Sequence, residues 1–462
     1  MVNETRTETD SLGEVEVPAD AYWGSNTQRA IQNFQISDRR FPERFIRSLV
    51  IVKKACLLAN YDLEQIDQGR FQALLEAIDD VLEGHLRDQF PIDVFQTGSG
   101  TQTNMNVNEV LANRANEILG QPLGKKAPVH PNDHVNMGQS SNDTIPTAMH
   151  LAIIDDIHEH LGPSLDLAIT ILERKMKQFE GIVKVGRTHL QDAVPIPLSL
   201  EVSVYRDKLK LAKAEIISAS DNLLSVPIGG TALGTGINSS KIFSKKTVTY
   251  LQDLTGFEFK EDDNKARDIA SHTKVVSLSG TLRTLALVCL KMANDIRWMG
   301  TGPRAGLGEL QLPRNEPGSS MMPGKINPTQ SEALIQVCGQ VLGNDHAISF
   351  GEAFGSILDL NVAKPLIIQN VLDSIQLLSN GIRSFAKNCL ADLKADEKRI
   401  EELLDRSLMV VTRLSPFIGY DKASEVAKTA LRRGLTIRQT FEEMDLEING
   451  NLDEILDPKE MV

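Results

Sequence analysis

The chain has 462 residues, with 62 acidic against 49 basic side chains and a formal net charge of −13. That balance disfavours sequence-independent nucleic-acid binding, which needs a basic surface to neutralise phosphates. It also obliges any anionic substrate to find a locally positive pocket. Hydrophobic residues at 41% and charged residues at 24% are those of a soluble globular protein long enough for several domains.

The polar, acidic start MVNETRTETD resembles neither a secretory signal nor an Arg-rich transit peptide. No run is expected to be apolar enough to span a bilayer, and a cytoplasmic location is expected. Cys56, Cys289, Cys338 and Cys389 are scattered without metal-ligand spacing, so free reduced thiols are expected.

Residues 1–140 read as turns mixed with shorter helices, among them FIRSLVIVKKACLLAN and FQALLEAIDDVLEGHL. Within them, TGSGTQTNMNVNE (97–109) breaks the pattern. Ser99, Thr101 and Thr103 stand there beside the exposed amides of Gly98 and Gly100, just before a helical run. Taken alone, such residues are more often a simple helix cap; the sharper reading is a helix N-terminus that binds an anion.

The second break is HPNDHVNMGQSSNDTIPTAMH (130–150), where Ser140, Ser141, Asn142 and Asp143 precede a helix near Thr144. The spacing of His130, Asp133 and His134 fits no zinc or non-haem iron pattern, so no metal is expected. The third, VGRTHLQDAVPIP (185–197), carries Thr188 and His189 in what reads as a short connection between two long helices. Histidine is well suited to proton transfer near neutral pH, although a lone histidine is more often structural.

From about Thr144 to Lys394 the helices lengthen. Val202, Tyr205, Leu209, Ala212, Ile216, Ala219 and Leu223 step by threes and fours, as do Leu278, Leu282, Leu285, Cys289, Met292, Ile296 and Met299. Leu372, Ile375, Leu378, Ile382, Phe385, Cys389 and Leu393 nearly repeat the spacing. One apolar seam per helix predicts long helices packed near-parallel in a bundle, hence a mainly α fold. The Gly-rich PIGGTALGTGINSSK (227–241) matches no phosphate-binding loop and reads as a permissive turn.

The fourth break is EPGSSMMPGKINPTQSE (316–332). Gly318, Pro323, Gly324 and Pro328 punctuate it, and Ser319, Ser320 and Lys325 bring hydroxyls and a cation. Met321, Met322 and Ile326 make it too apolar for a plain linker. Together the four breaks supply many neutral donors, a well-placed lysine in Lys325 and a junction histidine in His189. That inventory suits a small polycarboxylate and loss of a proton alpha to a carboxylate, in a lyase or an isomerase.

GSSMMPGKINPTQSE resembles the signature of the fumarase/aspartase superfamily, G-S-S-x-M-P-x-K-x-N-P. SGTQTNMNVNE, HPNDHVNMGQSSND, GRTHLQDA, GGTALGTG, LGEVEVPADAYWGSNTQRAIQNF and IGYDKASEVAK are similar to its other regions, in order along nearly the whole chain. QSSND with Ser141, and Thr329-Gln330-Ser331-Glu332, lie on the class II fumarase side rather than the aspartase side. Met137-Gly138 and Lys125-Lys126 depart from common family residues.

The resemblance implies a mainly α, three-domain fumarase/aspartase-like fold: 1–140 mixed and mostly helical, 141–395 a central long-helix bundle, 396–462 a small helical domain. It implies a homotetramer built on that bundle, with active sites shared between three subunits. The reaction implied is metal-independent, cofactor-free anti addition of water to fumarate; aspartate ammonia-lyase is the alternative. Ser319 would be the base, and His189, paired with Glu332, would handle the proton of water. Ser99, Gly100, Thr101, Ser140, Ser141, Asn142, Thr188, Ser320, Lys325, Ile326 and Asn327 would bind the dicarboxylate. His130, Pro131, Asn132 and Asp133 would form a secondary dicarboxylate site.

Overall fold

The computed structural model describes residues 4–462, so the first three residues of the polar N-terminal stretch lie outside the described residues. Helices dominate: Glu43–Asp62, Gln68–Leu82, Thr101–Ile118, Ser141–Asp156, Gly162–Gln178, Leu198–Asp221, Lys241–Thr255, Thr273–Met299, Thr329–Gly355 and Lys364–Phe385 are the long ones among the described residues. The expected seams are the core. Leu209, Leu278, Leu282, Leu285, Leu372, Ile375 and Leu378 are fully buried, and Val202, Tyr205 and Ile216 nearly so.

Backbone contacts divide the chain into two compact units. One comprises 1–161, 215–283 and 340–376; the other comprises 162–214, 284–339 and 377–462. Strands among the described residues occur only as five two-stranded ribbons.

In the first unit, Thr5–Asp10 pairs antiparallel with Gly13–Pro18. Arg6 clamps the chain as it leaves this hairpin, its guanidinium donating to the carbonyls of Pro18 (2.9 Å), Ala21 (2.7 Å) and Trp23 (2.8 Å). The buried Glu109 carboxylate then accepts from the amides of Gly24, Asn26 and Thr27 at 2.9–3.1 Å. It caps helix Ser25–Asn33 from the middle of helix Thr101–Ile118 and fixes the latter.

In the second unit, Val183–Thr188 and Gln191–Pro197 form an antiparallel hairpin, with Thr188 opposite Gln191. This corrects the expectation of a plain connection between helices: Thr188 ends a strand, and His189 and Leu190 are the two-residue turn. Both turn residues hold left-handed backbone, φ 56° and 59°, as tight hairpin turns demand. The hairpin is anchored by Arg187, which donates to Glu309 Oε1 at 2.7 Å, and by the buried Lys184. A separate apolar cluster, including Leu414, Val426, Ala430 and Phe441, packs the C-terminal helices.

One expectation needs correction. Helix Thr273–Met299 is, by length and composition, apolar enough to cross a membrane. Its stripe from Leu278 to Met299 is buried by protein, which is how a core helix behaves.

Candidate active site

Two helix N-termini converge in the first unit. Helix Thr101–Ile118 starts after Gly100, and helix Ser141–Asp156 after Ser140. Ser99 Oγ lies 2.8 Å from Thr101 Oγ1, which lies 2.8 Å from Ser141 Oγ. A chain of three hydroxyls therefore spans two helix starts whose dipoles both favour an anion.

Each start is fixed from behind. Gly98 lies against the bend 361–364: its carbonyl accepts from Lys364 N at 3.0 Å, and a Cβ there would sit 1.5 Å from Val362 O. Thr103 N and Oγ1 both donate to Gln96 Oε1, at 3.0 and 2.9 Å. Ser140 and Asp143 form a capping box, with Ser140 Oγ accepting from Asn142 N and Asp143 Oδ1 accepting from Ser140 N.

Asp143 is fully buried, and its other oxygen accepts from Gly229 N at 2.9 Å and Thr231 N at 2.8 Å. Burial pushes its carboxyl up to about 6. The Gly-rich run is thus a turn wrapped on a carboxylate, and Asn142 Nδ2 reaches its Ala232 carbonyl at 2.8 Å.

His130, Pro131, Asn132 and Asp133 form a turn of their own. His130 Nδ1 accepts from Asn132 N and Asp133 N at 3.2 and 3.3 Å, and His130 N donates to His134 Nδ1 at 2.8 Å.

In the second unit, 318–325 is a loop closed at its neck. Gly318 N donates to Lys325 O at 3.0 Å, and Asn327 Nδ2 donates to Gly318 O at 2.6 Å. A Cβ on Gly318 would meet Lys325 O at 2.1 Å, so the neck needs glycine. Inside the loop, Ser319 Oγ accepts from Met321 N at 3.1 Å and Met322 N at 2.9 Å. Ser320 and Lys325 are exposed around it, and Ile326 is at its edge. Helix Thr329–Gly355 comes next, its first turn held by Thr329 Oγ1 on Glu316 at 2.6 Å and by Ser384 Oγ on Gln330 at 2.8 Å.

Thr188, His189 and Glu332 are exposed, and no ion pair joins His189 to Glu332 within a single chain among the described residues. The chain alone brings Ser99, Thr101 and Ser141 together, and Ser319 with its two amides. Sequence reasoning missed Lys53, a buried lysine whose ammonium donates to Asn136 Oδ1 and Gln139 Oε1, each at 2.9 Å. A signal was present: Leu49, Lys53, Cys56 and Asn60 step 4-3-4 along one helix face, and all four are buried.

Residues 13–343 match a family described simply as lyase, and residues 410–462 match the fumarase C C-terminus. The class II fumarate hydratase of Thermosynechococcus vestitus is 50% identical over 444 residues, 96% of this chain and 95% of that one. The mitochondrial fumarate hydratase of Rhizopus oryzae is 48% identical over 459 residues, covering 99% and 92%. Among solved structures, a class II fumarase from Schistosoma mansoni superposes with a TM-score of 0.96 at 40% identity, covering 99% of both chains. The fold and the matched lyase family define the class, a mainly α lyase of the fumarase/aspartase fold. Within that class, the chain belongs to the class II fumarate hydratase family.

Proposed function

We propose that this chain catalyses the reversible hydration of fumarate to L-malate. The observation that carries the reading is the seat of Ser319 Oγ on two backbone amides. A serine hydroxyl is too weak a base unaided, and donors aimed at its oxygen stabilise the alkoxide form. In the dehydration of malate, Ser319 takes the C3 proton, and the electron pair delocalises into the adjacent carboxylate as an aci-carboxylate. The C2–O bond then breaks and hydroxide leaves as water, its proton supplied through His189 paired with Glu332 of a neighbouring subunit. The carboxylates are held by Ser99, Gly100, Thr101, Ser140, Ser141 and Asn142 from the helix starts, and by Thr188, Ser320, Lys325, Ile326 and Asn327. The shared hydroxyl chain supports the first group.

On the same reading the chain forms a homotetramer, with domains at 1–140, 141–395 and 396–462. Residues 130–133 serve as a secondary dicarboxylate site. A cytoplasmic location fits four buried free thiols. Aspartate ammonia-lyase is not favoured, since the relatives compared are fumarate hydratases.

Purified protein incubated with malate or with aspartate separates the two reactions, with the fumarate double bond followed by ultraviolet absorbance. Fumarate from malate only is expected; fumarate from aspartate only overturns the assignment.

A further inference from the structure

Lys53 sits in VIVKKACLL of helix Glu43–Asp62 and is 1% exposed, whereas Lys54 beside it pairs with Asp79. A buried ammonium ordinarily rests on a carboxylate. Lys53 rests instead on two neutral amides, and no ion pair neutralises it among the described residues.

Those amides are connected to both helix starts. Asn136 Oδ1 also accepts from Asn104 Nδ2 at 3.1 Å and Asn108 Nδ2 at 3.2 Å, two side chains of helix Thr101–Ile118. Asn104 is in that helix's first turn, its N–H on Gly100 O at 3.0 Å. Gln139 immediately precedes the cap Ser140. Its Nε2 donates to Val135 O at 3.1 Å and Met137 O at 3.2 Å, and Asn136 Nδ2 donates to Gln139 O at 3.2 Å. The ammonium dictates how both amides face, because either one reversed would turn an NH₂ group against it.

We propose that Lys53 is a positioning residue for dianion binding: through Asn136 and Gln139 it sets the spacing of the helix starts that carry Thr101 and Ser141, and its charge, solvated by neutral amides, strengthens their hold on a dicarboxylate. The role rests on the fumarate reading for the identity of the dianion. A buried charge solvated by neutral amides acts over a longer range than a surface lysine, which water screens.

The charged or titratable groups facing Lys53 are Cys56 from its own helix and Asp143 from helix Ser141–Asp156. Asn104, Asn108, Asn136 and Gln139 are neutral. Burial brings Lys53 down to about 7 and pushes the Cys56 thiol up to about 12, so the thiol stays uncharged. A bound dianion favours the protonated lysine, while the free protein loses that proton as pH rises through about 7. Dianion affinity therefore falls above that pH, by at most about tenfold per pH unit.

The test compares the parent with Lys53→Met, which keeps the stem and deletes the charge. KM for fumarate and the calorimetric Kd for succinate are expected to rise about tenfold at neutral pH, with kcat changed less than about threefold. The decline of succinate affinity above neutrality should flatten. Lys53→Gln guards against misfolding of the first variant, because its amide NH₂ can still donate toward Asn136 and Gln139 while the charge is gone. It should lose succinate affinity as Lys53→Met does while its Tm stays near the parent's.

Succinate affinity within about twofold of the parent in whichever variants fold overturns the role. So does a fall in kcat with KM and Kd unchanged. A parent that binds succinate, shows the variant pattern and yet does not turn over fumarate removes the functional reading and leaves Lys53's role standing. A parent that neither binds succinate nor turns over fumarate overturns both.

Discussion

Ser319, the proposed base, illustrates how a poor base can be made usable. Its Oγ takes two amide hydrogens from Met321 and Met322, so its alkoxide is stabilised by the backbone of its own turn. Ser319→Ala is expected to lower kcat for malate dehydration about 10²–10⁴-fold, the range typical of removing a proton-transfer group. Circular dichroism and light scattering should show an unchanged fold and assembly; turnover near the parent's level removes Ser319 as the base. Ser319, Thr101 and Ser141 were legible in the sequence because hydroxyl clusters interrupt apolar stripes. Lys53 was not, because a Lys-Lys pair in a helix reads as a solvated face. Only its place on the seam of Leu49, Cys56 and Asn60 marks it as buried.

At the scale of elements, the long helices were the most legible part, since seams such as Leu278–Leu282–Leu285 repeat over many turns. The hairpin was hidden by its own composition. VKVGRT and QDAVPIP hold Gly186, Pro195 and Pro197, residues that argue against a central strand. In a two-stranded ribbon every strand is an edge, so a proline without an N–H loses nothing there. The contact of Gly98 with the bend at 361–364 was also invisible, because it joins segments far apart in the chain. Gly98→Ala would drive a methyl group into Val362 O. It is expected to destabilise the protein by about 1–3 kcal/mol, as overpacking generally does, and to raise KM by displacing Ser99 and Thr101. Denaturant unfolding and steady-state kinetics check both, and a variant equal to the parent in both would contradict the seating of this segment.

For the whole molecule, several helices carry apolar side chains that one chain leaves uncovered. Leu200, Val204 and Leu211 are exposed on helix Leu198–Asp221, and Phe350 and Phe354 stack at 4.6 Å on helix Thr329–Gly355 while exposed. Surfaces of this kind belong to interfaces. Light scattering is expected to give about four times the 50.9 kDa chain mass at micromolar concentration, and a monomer would remove the proposed sharing of sites. The sequence pointed to shared sites only through resemblance, because spacing within one chain does not say which subunit completes a site. His189 and Glu332 are the instance: both were legible as residues, and their proposed pairing belongs to the assembly.

The neck of the 318–325 loop has a kinetic side. Its closing bonds, Gly318 N to Lys325 O and Asn327 Nδ2 to Gly318 O, lie outside the turn that holds Ser319, while both amide donors to Oγ lie within it. The loop is therefore a cartridge: the hydroxyl of the proposed base and its two amide donors belong to one turn. A displacement of the loop about its neck would move the serine and keep both amide donors on its Oγ.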